Sequence, residues 1–173
     1  MKRYLDSIAK LSIFSAFTVS TVLLTTEMAS AQVRGMDGSY LGGGVSVGIT
    51  DNDDSSNFGG NIQGRWDTPE LPLSLRGSFL FNGDNSAVMP IVTYDIGVAP
   101  NTNVYVGGGY SFVLGSDSKS SLLGNQDAPV VTVGVESAVR RNVVLYGDAK
   151  LGIDAQEDSG SAASVQLGAA YRF

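Results

Sequence analysis

Seven charged residues sit in stretches that are otherwise apolar, small or glycine-rich: Arg65, Arg76, Asp95, Glu136, Asp148, Lys150 and Arg172. Carboxylates beside cations can serve acid–base chemistry, ion selection or structural ion pairing. The rest of the composition narrows that choice. The chain of 173 residues contains no His and no Cys. The commonest general base, the commonest metal ligand and every thiolate site are therefore missing. An Asp–Lys pair such as Asp148 and Lys150 is by itself weak evidence for catalysis. No catalytic, cofactor-binding or metal-binding residue is assigned, and no cofactor is implied.

Two other motifs carry no chemistry. The runs GGGVSVG (42–48) and VGGGYSF (106–112) resemble phosphate loops, but neither ends in Gly-Lys-Ser/Thr or opens a helix. The stretch DNDDSSN (51–57) places three carboxylates in four residues without the glycine and distant Glu of a calcium loop. The net charge of −6 argues against a nucleic-acid partner.

The elements that must position the charged residues begin after the first thirty residues. Lys2, Arg3 and Lys10 precede an apolar run of 14 residues, LSIFSAFTVSTVLL, and Ala29-Ser30-Ala31 follows as a small-x-small cleavage pattern. This is the layout of a secretory signal peptide, residues 1–31; the run is too short and too rich in Ser and Thr for a spanning helix. Residues 32–173 then form one domain with a net charge of −7, since three basic and two acidic residues leave with the signal.

That domain reads with period two, the side-chain period of a strand. Eight segments alternate: 40–49, 58–67, 73–82, 88–96, 104–114, 129–139, 143–153 and 162–173. In the second, Phe58, Ile62 and Trp66 oppose Asn61, Gln63 and Arg65. In the last, Val165, Leu167, Ala169, Tyr171 and Phe173 oppose Ser164, Gln166 and Arg172. Short turn-like links, TPELP, APNTN and RRN, alternate with mostly longer polar or acidic links.

Alternation leaves open which face is wet. A soluble carrier of lipocalin shape would hide the apolar face and hold an apolar ligand; a membrane barrel turns that face to lipid. Segments of about ten residues suit a tilted transmembrane strand. Aromatic residues on the apolar face fall into two rings, Phe58, Phe79, Phe81 and Phe112 at one end and Trp66, Tyr94, Tyr171 and Phe173 at the other. The opposite face is rich in Gly, Ser and Ala, which suits a narrow interior. The reading is an all-β, eight-stranded antiparallel up-and-down transmembrane barrel.

With its signal peptide, its eight segments and the terminal Tyr171-Arg172-Phe173, the chain resembles the small outer-membrane barrels of the OmpA-transmembrane and OmpX type. The resemblance implies an integral protein of the bacterial outer membrane. It implies that Val165, Leu167, Ala169, Tyr171 and Phe173 form the signal read by the barrel-insertion machinery. The acyl-transfer enzymes among such barrels depend on a His, which this chain lacks. The expected partners are outer-membrane lipid and that machinery, and a closed barrel needs no second copy. The seven charges are expected to face inward and pair across the lumen, with Arg65, Asp95, Glu136 and Arg172 toward the short-turn end and Asp148 and Lys150 near mid-height. Such a network either plugs the barrel or narrows a pore. Leu122 and Leu123 form the only apolar pair in the longest link, placed for loop packing.

Overall fold

The computed structural model describes residues 35–49, 58–83, 85–114, 122–124, 126–156 and 160–173. Ala29, Ala31 and most of the loop acids (Asp51, Asp53, Asp54, Asp84, Asp117, Glu157, Asp158) lie outside the described residues. Eight strands follow in chain order: β1 (Tyr40–Gly48), β2 (Phe58–Asp67), β3 (Leu73–Asn82), β4 (Asn85–Ala99), β5 (Thr102–Leu114), β6 (Ala128–Arg140), β7 (Val143–Gln156) and β8 (Gly160–Arg172). Each pairs antiparallel with the next, and β8 pairs back onto β1, so the ladder closes. Closure satisfies every strand edge, which hydrocarbon requires.

Alternation set β2 and β3 to their ends, whereas four of the other strands run clearly longer than the alternation. β4 begins at Asn85, so the link after β3 is only residues 83–84; β7 runs to Gln156 and β8 begins at Gly160. Polar residues continue the ladder past the apolar band because main-chain bonds need no apolar side chain. At the opposite end, the β4–β5 turn uses Asn101 at φ 60°, a left-handed conformation that Asn tolerates.

The apolar face points out along every strand. Leu41, Ile62, Leu75, Val92, Val133, Leu145 and Leu167 are exposed, and Trp66, Tyr171 and Phe173 stand 69%, 62% and 70% exposed at the short-turn end. The inward face differs from a uniformly polar lining. Toward the long loops it is apolar on β3, β4 and β6, where Leu80, Ala87, Met89, Ile91 and Val130 pack with Leu122 and Leu123, while Ser46, Ser111, Ser164 and Gln166 keep β1, β5 and β8 polar there. The two leucines belong to the β5–β6 loop, of which residues 122–124 reach into the barrel mouth. A Cβ on Gly59 would meet Leu122 Cδ1 at 2.7 Å. Gln126 Nε2 holds the same loop to the Asp154 and Gln156 carbonyls at 2.6 and 3.0 Å. Asp127, in one of the acidic links, accepts the Val113 N–H at 2.8 Å and so serves the base of its own loop.

Two of the inward tyrosines have an empty place across the ladder. Tyr105 pairs with Gly134, and Tyr146 with Gly168. A Cβ on Gly134 would come within 2.5 Å of the Tyr105 ring, and one on Gly168 within 2.3 Å of the Tyr146 hydroxyl. Gly134→Ala and Gly168→Ala are expected to cost ~1–3 kcal/mol each by overpacking. The outward Gly77 has nothing within 4 Å of its added Cβ, so Gly77→Ala should change stability by less than ~0.5 kcal/mol. Urea unfolding in lipid bilayers measures all three.

Candidate functional site

The interior nearest the short turns is a closed network of ion pairs. Inward positions on β2, β3, β4 and β6 deliver Arg65, Arg76, Asp95 and Glu136 to one space. Arg76 Nη2 meets Asp95 Oδ1 at 3.0 Å and its Nη1 meets Glu136 Oε2 at 2.8 Å. Arg65 Nη2 meets Asp95 Oδ2 at 2.8 Å and its Nη1 meets Glu136 Oε1 at 3.1 Å. Each guanidinium thus bridges both carboxylates and each carboxylate bridges both guanidiniums. Such planar forks are the geometry that guanidinium favours.

The remaining donors and acceptors are also used. Arg65 Nε donates to Ser74 Oγ and Arg76 Nε to Thr93 Oγ1, both at 2.9 Å. The two hydroxyls in turn donate to Asp95, Thr93 at 3.0 Å. The Tyr40 hydroxyl donates to Glu136 Oε2 at 2.9 Å and accepts from Arg76 Nη1 at 2.8 Å. Asp67, at the rim, takes a second bond from Arg65 Nη2 at 2.8 Å.

Asp148 and Lys150 form a second level. The Lys150 ammonium contacts Asp148 and donates to Gln63 Oε1 at 3.4 Å. The Tyr105 hydroxyl donates to Asp148 Oδ2 at 2.9 Å. Gln63 Nε2 reaches the Tyr40 and Tyr105 hydroxyls at 3.3 and 3.5 Å. The Arg76 guanidinium lies 3.6 Å from the Tyr105 ring centroid, a stacked cation–π contact. The two levels are therefore one connected structure.

Six of the seven charged residues singled out in the sequence come together; Arg172 does not. Its guanidinium turns to the rim, where Nε and Nη2 donate to the Arg141 carbonyl at 3.1 and 2.7 Å and Nη1 to the Asp37 carbonyl at 3.3 Å. It is the last strand residue, and its long side chain reaches the wet boundary more cheaply than the dry interior. Val165, Leu167, Ala169 and Tyr171 face outward on β8, and Phe173, just past its end, is exposed. Tyr40, Gln63, Tyr105, Asn103 and Asp67 were not singled out. Their signal was parity: Gln63 and Asp67 alternate in step with Arg65 on β2, and Tyr40 and Tyr105 fall on the small, polar face of β1 and β5, while Asn103 precedes the residues where β5 alternation was visible.

Glu136→Ala leaves two buried guanidiniums each short of a partner and is expected to cost ~3–5 kcal/mol. Asp67→Ala, at the rim, removes one bond from Arg65 and one from the Gly38 N–H and should cost roughly 1–2 kcal/mol. Equilibrium unfolding of the two variants side by side measures the difference.

A family model described as an outer membrane protein beta-barrel domain matches residues 17–173. Among solved structures, a de novo designed transmembrane β-barrel aligns with TM-score 0.56 at 16% identity, covering 79% of this chain and 97% of its own. Neisserial surface protein A aligns with TM-score 0.55 at 16% identity, over 81% of this chain and 100% of its own. Ail, the attachment invasion locus protein of Yersinia pestis, aligns with TM-score 0.49 at 18% identity, over 80% and 100%. Comparison with curated protein sequences gave no significant match.

Proposed function

The chain belongs to the outer membrane protein β-barrel domain family, and from that premise we propose that it is a closed structural or interaction barrel that passes no solute and catalyses no reaction. It is an integral protein of the outer membrane. The observation that carries the proposal is the double seal of the interior. Toward the short turns, Arg65, Arg76, Asp95, Glu136 and Tyr40 bond one another across the lumen. Toward the long loops, Leu80, Met89, Ile91 and Val130 close over Leu122 and Leu123.

A narrow pore would need charged groups lining an open path. Here the charges face one another, and beyond them the apolar side chains of β3, β4 and β6 pack against Leu122 and Leu123. The same mutual pairing supports a non-enzymatic role, because Asp148 and Lys150 are spent on each other and on Tyr105. A soluble apolar-ligand carrier is disfavoured by the outward apolar face. The remaining parts of the proposal are residues 1–31 as a cleaved signal ending at Ala29-Ser30-Ala31, and the outward β8 series ending in Phe173 as the address for the insertion machinery. Short turns mark the periplasmic end of such barrels, which places Pro100, Asn101, Arg141 and Asn142 there.

Refolded protein should resist SDS until heated, then change mobility on a gel. The same heat-sensitive material, placed in a planar bilayer, should remain electrically silent. Reproducible single-channel steps from it would replace the sealed barrel with a pore.

A further inference from the structure

The residues just before β1 form no part of the barrel wall, yet they are held as closely as a strand. The Asn103 carboxamide treats Met36 as a strand neighbour would. Its Oδ1 accepts the Met36 N–H at 2.9 Å, and its Nδ2 donates to the Met36 carbonyl at 2.7 Å. Arg65 Nη1 donates to the Met36 and Gly38 carbonyls, at 3.3 Å each. Asp67 Oδ2 accepts the Gly38 N–H at 2.8 Å. The Met36 side chain, 2% exposed, packs in an apolar cup of Tyr40, Val144, Tyr146 and Ala170, with Ala138 beside it.

This seat is selective. A Cβ on Gly35 would stand 1.8 Å from Asn103 Oδ1 and 2.8 Å from Gly97 Cα, so no side chain fits there. Gly38 adopts φ 97°, which side-chain-bearing residues avoid. Met36 fills the cup with a long unbranched side chain, suited to an irregular space. The main-chain bonds hold any extended peptide; the glycines and the methionine choose this one.

We propose that the periplasmic mouth is a peptide-binding clamp whose resident ligand is the chain's own Gly35-Met36-Asp37-Gly38, a separable ligand that the same peptide can replace in trans. The clamp residues come from β1, β2, β5, β6, β7 and β8, so the seat exists only after the ladder has closed. The segment borders an open cleft of about 490 Å³ lined in part by Asp37, Asn101, Arg141 and Arg172. It is therefore reached from the periplasm without unfolding the barrel. The inference does not depend on whether the lumen conducts.

The test uses the full chain with Met36→Asp, which puts a charge into the apolar cup and unseats the segment. Host protein that keeps its heat-dependent gel shift is titrated with a fluorescent synthetic peptide, Arg-Gly-Met-Asp-Gly-Ser. Saturable binding is expected, with none to the wild-type protein, whose clamp is filled. A peptide with Val for the first Gly should bind at least ~10-fold more weakly, about 1.4 kcal/mol. The Asn103 side-chain amide resonance should return toward its wild-type position as the peptide binds. Absence of binding to the folded host, or equal binding by a scrambled peptide, overturns the clamp. Where Met36→Asp loses the heat shift, Gly35→Val takes its place as host with the same outcomes. Loss of the heat shift in both would make the segment a part of the fold and overturn its separability.

Discussion

Charge neutrality in a dry interior is the constraint on which the rest of this barrel depends. A lone guanidinium or carboxylate there would lose its hydration with nothing in return, at a cost of several kcal/mol. The barrel answers with Arg65, Arg76 and Lys150 against Asp95, Glu136 and Asp148, each within ion-pair distance of an opposite charge. Balance in number is insufficient without balance in direction. Two guanidinium forks point at the same two carboxylates from neighbouring strands, so that neither carboxylate favours one cation. Ser74, Thr93 and Tyr40 then occupy positions the forks leave open.

The same constraint explains the distribution of large and small groups. Tyrosine rings bring hydroxyls to the centre, and two of them have their bulk accommodated by a glycine across the ladder, Gly134 for Tyr105 and Gly168 for Tyr146. Above this level no charge remains to be matched, and on β3, β4 and β6 the inward face turns to Leu80, Met89, Ile91 and Val130. That change of chemistry is what allows Leu122 and Leu123 to enter from a loop and finish the packing.

The strands were legible because period two leaves little choice when one face must meet lipid. Arg65, Arg76, Asp95, Glu136, Asp148 and Lys150 were legible by the same parity. Three things were not. Arg172 shares the parity but sits at the last strand residue, and parity says nothing of how far a long side chain reaches along the axis. The apolar part of the interior lay hidden because Leu80 reads as an exception on a polar face and Met89 and Ile91 flank Pro90 in the least regular segment. The Met36 seat lies before the first strand, where there is no period to read; only the tertiary position of Asn103 reveals it.

Register is where the charges and the lipid act together. A slip by one residue exchanges the two faces of a strand. For β2 it would send Arg65 to the hydrocarbon and bring Trp66 into a space that Arg65 and Ser74 now fill. A cation at the bilayer midplane costs ~2–4 kcal/mol and less toward the interface, and its former carboxylate partners would be left unpaired inside. The slipped strand thus loses on both faces at once. An all-apolar interior would pay only the packing term for the same error. The ion-pair network adds little attraction beyond what its own desolvation consumes; its larger effect is on the alternatives, since every misregistered ladder separates a bridged guanidinium from the carboxylates that make its burial tolerable.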